Sequence, residues 1–452
     1  MTGSRISSST RTTPRGLWWI SPAGALVFVV VPTIVLAAAI SDKAYEQSWA
    51  TPKYFTGASA LLLLQGVGVF MAMSALPLLG RGRRRESAGW PGLSDHVLDR
   101  MTRASNVLFW ITIFGYAVYG LVGVARGARP AMLVDALVSQ DTLGGELKEM
   151  FAPVSGVTTL TQVGIAYIVV AVVIMLSRRQ SGLRGRVAIL AFLALFRAFF
   201  LSERLAIIEL AVPVVALVVC ALAGSRSNPI RLGVRLLPVL LAPLALVMFG
   251  LFEYSRSWQF YQSKIGGSFT DFAVDRFAGY YVTAYNNGQI AMSYEEFPGR
   301  VPLRTLEGFW TAPVIQQLNL YERLSPGGED LFQTLLRLRG NPEFNNPCGV
   351  CDPFVDYGHA GALIWFAAAG LLLGWIYRCF CNGSLWAVLV YPPMVTGLLE
   401  LPRYLYWTQG RWLPALAALL AVAWYASRPD PDALPPPPER DPLIRSLPEG
   451  AT

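Results

Sequence analysis

Long apolar runs alternate along the chain with short polar connections, many of them rich in arginine. A membrane-spanning helix needs about 20 predominantly apolar residues. Runs of that kind fall near 17–40, 56–80, 104–125, 156–176, 187–202, 205–224, 234–252, 358–377, 384–400 and 411–427. The pattern predicts an all-α, polytopic integral membrane helix bundle of about ten transmembrane helices. The first run is too long for a cleaved signal sequence and lacks a small-residue cleavage site, so it is expected to stay in place as a helix. A Ser/Thr-rich tail, 1–16, is expected to be disordered and cytoplasmic. The membrane domain is expected over 17–427, followed by a Pro-rich cytoplasmic tail, 428–452.

One connection is far longer than the rest. Residues 253–357 exceed an ordinary loop and predict a large, partly helical extracytoplasmic segment. Within it, "LFQTLLRLR" (331–339) has the spacing of an amphipathic helix lying in the membrane interface.

The run 187–224 is the hardest to read. As one helix it would be about 57 Å long, against a hydrocarbon core of about 30 Å. It carries Arg197, Glu203, Arg204 and Glu209 and, as far as residue 212, has no Gly or Pro. A charge within a membrane helix costs about 2.5–3.5 kcal/mol on insertion scales. The charges at 203 and 204 are cheapest at the outer interface, so they predict a break near Ser202.

Charge fixes the expected orientation. Only 15% of the 452 residues are charged, against about 25% in soluble domains. All but four of the 37 basic residues are arginines, the exceptions being Lys43, Lys53, Lys148 and Lys264. "RGRRR" (81–85), "SRRQSGLRGR", "SRSNPIRLGVR", Arg378 and the Pro-rich tail all lie on one side if both termini are cytoplasmic. The net charge of +8 is thus a topology signal. No soluble basic domain is present to bind nucleic acid.

Polar chemistry gathers on the opposite side. One group is Arg197, Glu203 and Arg204. A second lies in the long loop: "EYSRSWQFY" (253–261) with Arg256, "DRFAGYYVTAYNNG" (275–288) with Arg276, Tyr280, Tyr281, Asn286 and Asn287, and "NPEFNNPCGVCDPFVDYGHAG" (341–361) with Glu343, Asn345, Asn346, Asp356 and His359. The third is "LLELPRYLYWTQGRWLP" (398–414), with Glu400, Arg403 and Arg411. Arginine suits pyrophosphate because its planar fork gives paired hydrogen bonds and keeps its charge. Aromatic rings and amides suit sugars. Structural roles compete at each position: Arg197 with Glu209 as a packing pair, Arg204 with Glu203 as an interface anchor, the Asn pairs as turn or cap residues, and Arg403 and Arg411 as helix flanks.

His359 is the one histidine expected outside, and one histidine does not build the usual zinc site, so no metal is expected. No Walker, DxD or GxSxG pattern stands where it would matter, which removes ATPase and serine hydrolase readings. Cys348 and Cys351 form "CGVC" with no βαβ pattern around it, which favours a local disulfide or free thiols over metal or redox chemistry.

"PVSGVTTLTQVG" (153–164), "RAFFLSERLAIIELAVP" (197–213), "GYYVTAYNNG" (279–288) and "EFNNPCGVCDPFVDYGHAG" (343–361) resemble the oligosaccharide repeat-unit polymerases, the Wzy-type O-antigen and capsule polymerases. The resemblance runs from about 153 to 427. The CGVC insertion departs from that pattern. The resemblance implies a glycosyltransferase of the bacterial cytoplasmic membrane that uses undecaprenyl-pyrophosphate-linked oligosaccharide and no cofactor. Membrane lipid would be a second partner, with a flippase and a chain-length regulator as further ones. Glu343, Asp356 and His359 are then the candidate general bases, and the arginines, tyrosines and asparagines named above the pyrophosphate and sugar contacts. A single-transfer ligase would use the same chemistry. A flippase would instead call for inverted repeats, which the sequence lacks.

Overall fold

A computed structural model of the chain describes residues 17–79, 92–129, 131–132, 150–151, 156, 158–178, 182–200, 205–223, 225, 227–254, 258–262, 267–295, 301–325 and 331–429. Residues 1–16 and 430–452, the RGRRR loop, and Glu203, Arg204 and Arg256 lie outside the described residues.

The described residues are helical, with no strands. Seven helices are long and apolar enough to cross a membrane. They are α1 (Pro22–Ala39), α3 (Gly57–Leu79), α4 (Asp95–Ala125), α5 (Val163–Ser177, led by a 3-10 turn), α7 (Leu205–Ala223), α8 (Asn228–Glu253) and α14 (Asp352–Cys381). Two shorter apolar helices follow, α15 (Leu385–Glu400) and α16 (Leu413–Ala426). Helix α6 (Gly182–Phe200) carries Arg184, Arg186 and Arg197, which sets it apart from the seven. It is described as far as Phe200 and α7 from Leu205, so the expected break near Ser202 lies outside the described residues.

Local chemistry sets several boundaries. The Ser94 hydroxyl accepts the Val97 N–H and caps α4, and Ser41 caps the short helix α2 (Asp42–Trp49) in the same way. Ala50 adopts a left-handed conformation to end α2. Helix α14 is broken at Gly358, whose φ of 64° and ψ of −170° are open to glycine alone.

Helix α5 is the buried axis, with residues 163–174 all inside. Around it stand α4, α6, α7, α15 and α16. On the other side, α3 and α14 approach closely because glycine removes the side chain. A methyl on Gly370 would stand 2.4 Å from the Phe70 carbonyl oxygen, and one on Gly374 2.2 Å from that of Ser74. Small residues at a helix crossing are how membrane helices gain van der Waals contact without a hydrophobic drive. Outward faces are apolar: Leu240 and Leu251 of α8, Trp110 and Leu121 of α4, and Trp424 of α16 are exposed. Such a surface suits a hydrocarbon solvent.

The long connection holds more order than a loop. Helix α9 (Phe269–Tyr294), capped by Ser268, is 26 residues long. It lies across one end of the bundle: Arg276 reaches Glu253 at the end of α8, Tyr285 meets Thr33 of α1, and Asn286 holds the 52–55 segment ahead of α3. Short helices α10 (Glu307–Trp310), α11 (Pro313–Gln317) and α12 (Leu320–Leu324) follow, then α13 (Leu331–Arg339). Helix α13 is amphipathic, as its spacing predicts, but its buried leucines, Leu335 and Leu336, face the protein, and it packs on α9. Protein contacts thus fill part of the apolar stripe, while Leu338 is 75% exposed.

Candidate functional site

The charged residues of the bundle converge on the end crossed by α9. Arg197 closes α6, Glu209 stands in the second turn of α7, Glu253 ends α8, Asp352 opens α14 and Glu400 ends α15. Four arginine-centred groups result.

The first joins α6, α7 and the 401–412 turn. Arg411 meets Glu209 with two prongs, Nε to Oε1 at 2.9 Å and Nη2 to Oε2 at 3.2 Å. The Tyr406 hydroxyl donates to the same carboxylate at 3.1 Å. Arg197 acts on Glu209 electrostatically, donates to Thr161 Oγ1 at 2.9 Å, and lies over the Tyr119 ring at 5.4 Å. A small polar pocket lies here, lined by Thr112, Tyr116, Thr161, Gln162, Arg197 and Glu209 among others. It forms because apolar helices bring their few polar residues to one level.

The second group is Arg403, paired with Glu400 at 2.8 Å and hydrogen-bonded to Asn346 Oδ1 at 3.4 Å. Its guanidinium lies over the rings of Tyr280 and Tyr404. Tyr281 is close enough to feel both Arg403 and Glu400.

In the third, Arg276 contacts Glu343 at 2.6 Å and Glu253 at 3.4 Å. It sits among the rings of Tyr261, Phe272 and Phe344. Burial lowers the affinity of Arg276 for its proton, but Glu253 and Glu343 outweigh that and hold it above its ordinary value. Tyr261 donates to Glu343 at 2.5 Å. Burial, with the Glu343 carboxylate beside it, pushes the Tyr261 phenol up.

The fourth is Arg304, clamped by Glu295 at 2.5 Å and Asp352 at 3.1 Å. Its charge reaches Glu307, which also feels Arg411 and hydrogen-bonds Gln409. Burial pushes the Glu307 carboxyl above the usual range, against the pull of both arginines. Arg304 and Glu307 therefore link the fourth group to the first. On the far side of Arg304, Glu295 lines a cavity of about 210 Å³ at the α14 break, together with His359, Gly358 and the apolar Leu62, Met292, Phe354 and Val355.

The residues named from sequence divide by environment. Asn286 and Asn287 are 0% and 2% exposed. Asn286 accepts the N–H groups of Tyr54 and Phe55 and donates to Pro52; Asn287 donates to the carbonyls of Phe344 and Asn346. These amides hold backbone and are not free for sugars. Asp356 is likewise committed: it accepts N–H bonds from Leu303, Arg304 and Thr305 and the Thr305 hydroxyl. It anchors the 303–305 turn, which disfavours a proton-transfer role. Asn346 bridges Arg403 and the Tyr280 carbonyl. Asn345 and His359 are exposed, and Glu343 is partly so.

Glu253, Glu295, Arg304, Glu307 and Tyr406 were not singled out in the sequence. Glu253 is the acid that closes a long apolar run, which is a usable signal. Arg304 and Glu307 lie in an unremarkable loop and become visible only through contacts distant in sequence. Cys348 and Cys351 form a disulfide, wholly buried against Gly288. Among the described residues, no group of three or more His, Cys, Asp or Glu is arranged to hold a metal ion. No protein-family model matches the chain, and no curated protein or solved structure matches it.

Proposed function

We propose that the chain is a bacterial polysaccharide polymerase of the cytoplasmic membrane, joining oligosaccharide repeat units carried on undecaprenyl pyrophosphate. The end that carries the four arginine groups would face outward, with both termini cytoplasmic. One observation carries the reading most: at one end of the helix bundle Arg197 and Arg411 flank the buried Glu209, while Arg403 stands on the buried Glu400 with Tyr404 between it and Arg411. A lipid pyrophosphate presents its charge at that depth.

Arg403 and Arg411 keep 20% and 28% of their side chains accessible. Both can therefore meet a ligand without giving up Glu400 and Glu209. The carboxylates fix each guanidinium in place, so little reorganisation is needed as charge develops on the leaving group. The acceptor hydroxyl oxygen would attack the anomeric carbon of the donor. The bond from that carbon to the pyrophosphate oxygen breaks, and undecaprenyl pyrophosphate leaves with the electron pair. The proton needs an acceptor. Glu343 is paired with Arg276 and Tyr261, and Asp356 is fully hydrogen-bonded, so His359, exposed beside the cavity, is the base this reading favours.

Loss of this protein from its own bacterium should leave single repeat units attached to the lipid carrier. Undiminished polymer in its absence would defeat the proposal. A polymer lost together with the lipid-linked units would point to an earlier step.

A further inference from the structure

Helices α10 to α12 carry an apolar surface that the chain does not cover. Phe309, Val314 and Leu318 are 49%, 67% and 48% exposed, and Leu306 and Leu324 are exposed as well. None belongs to a membrane-crossing helix. The surface has a polar reverse. Val314 and Leu318 stand four residues apart and share a side, whereas Gln316, two residues from each, turns away. Behind the apolar side, Trp310 is buried against Tyr321 and donates its indole N–H to the Pro302 carbonyl at 2.8 Å.

The position of this segment says what covers it. Gly308 is pressed against the Thr408 carbonyl and Leu413, where a methyl would stand 2.6 and 3.0 Å away. Leu413 opens α16 and is itself exposed, on a helix whose Leu420 and Trp424 are also bare. The apolar surface of α10 thus runs into the lipid-facing flank of a helix of the membrane bundle. At the other side, Pro313 packs on Gly156, just ahead of the turn that bears Thr161. Thr311 meets Gly410, next to Arg411. The segment therefore reaches from one side of the Arg197–Glu209–Arg411 group to the other.

We propose that residues 306–324 form a shelf embedded in the bilayer interface, with lipid as the occupant of its apolar side. Phe309, Val314, Leu318 and Leu324 insert among acyl chains, and Gln316 faces the headgroups and water. The shelf borders the arginine cluster and seals it from bulk water on the membrane side. This inference rests on the membrane bundle and does not depend on the chemistry proposed above.

Two measurements on the full chain in lipid nanodiscs test it. In a variant with Cys220, Cys379 and Cys381 replaced by serine, a fluorophore is placed on Phe309→Cys, Val314→Cys, Leu318→Cys or Gln316→Cys. Lipids with a nitroxide on the acyl chain should quench the first three and spare the fourth, and aqueous iodide should do the reverse. Iodide quenching at all four positions would overturn the shelf. Protection of 309, 314 and 318 from both quenchers would also overturn it, because a second copy or another protein would then cover the face. The second measurement needs no substitution. A bilayer-soluble carbene precursor should label the tryptic peptide 305–323, which lacks internal Lys and Arg. An unlabelled 305–323, with the exposed flank of α8 labelled, would overturn the proposal even if the cysteine variants failed to fold.

Discussion

Glu209 is the residue on which the local electrostatics turn. It is 2% exposed within a membrane-crossing helix, yet it is held by Arg411, Tyr406 and the nearby charge of Arg197. Removing one partner of a buried ion pair leaves the other uncompensated and costs about 3–5 kcal/mol. Replacing both by polar isosteres costs far less. Arg411→Gln should therefore lower the thermal midpoint of the detergent-solubilised protein more than Glu209→Gln with Arg411→Gln together. Equal losses would mean that the pair is not coupled. Arg411→Lys should behave more like Arg411→Gln than like the parent, because lysine lacks the two-pronged contact. The arginines themselves were legible in the sequence, being costly in apolar surroundings. Their partners were not, since Arg411 lies 202 residues from Glu209 and nothing local links them. The partners of Asn286 and Asn287 were hidden for the same reason. Amides suit sugars, but these satisfy backbone groups of two segments distant in sequence, 52–55 and 344–346.

At the scale of elements, apolar length was the dependable signal. Helices form where the long runs lie, whereas the expected break near Ser202 falls among residues 201–204, outside the described residues. Helix α9 was hidden because its sequence mixes Asn, Tyr, Thr and Gly, residues that suggest a loop when their burial is unknown. Helix α13 is amphipathic as its spacing predicts, with Leu335 and Leu336 against protein and Leu338 bare, because pattern alone does not say what fills each part of an apolar face. The Cys348–Cys351 bridge belongs to this scale. It shapes the turn ahead of α14, and the Cys348 N–H donates to the Arg403 carbonyl at 2.8 Å. A bridge closing so short a loop contributes about 2 kcal/mol in the chain-entropy view. Cys348→Ser with Cys351→Ser should thus lower the thermal midpoint by several degrees and leave polymer formation intact at lower temperature. Complete loss of polymer at normal protein level would place the turn within the reactive site.

At the scale of the whole molecule, an apolar bundle supports one polar end, and the four arginine groups stand together there. Arg304 and Glu307 connect the cavity beside His359 to the pocket beside Arg197. The central claim is that this polar end transfers a glycan from a lipid pyrophosphate, drawing its energy from that leaving group. The direct measurement is a gel of lipid-linked products from the purified protein in proteoliposomes. It is supplied with undecaprenyl-pyrophosphate-linked repeat units, EDTA and no nucleotide. A ladder should form. Arg197→Ala with Arg411→Ala should abolish it without loss of protein, and His359→Ala should slow it by about 10²–10⁴-fold, the usual scale of general-base catalysis. A single added unit with no ladder would make the protein a one-step transferase. No transfer by the intact protein, or a full ladder with both arginines removed, would contradict the account.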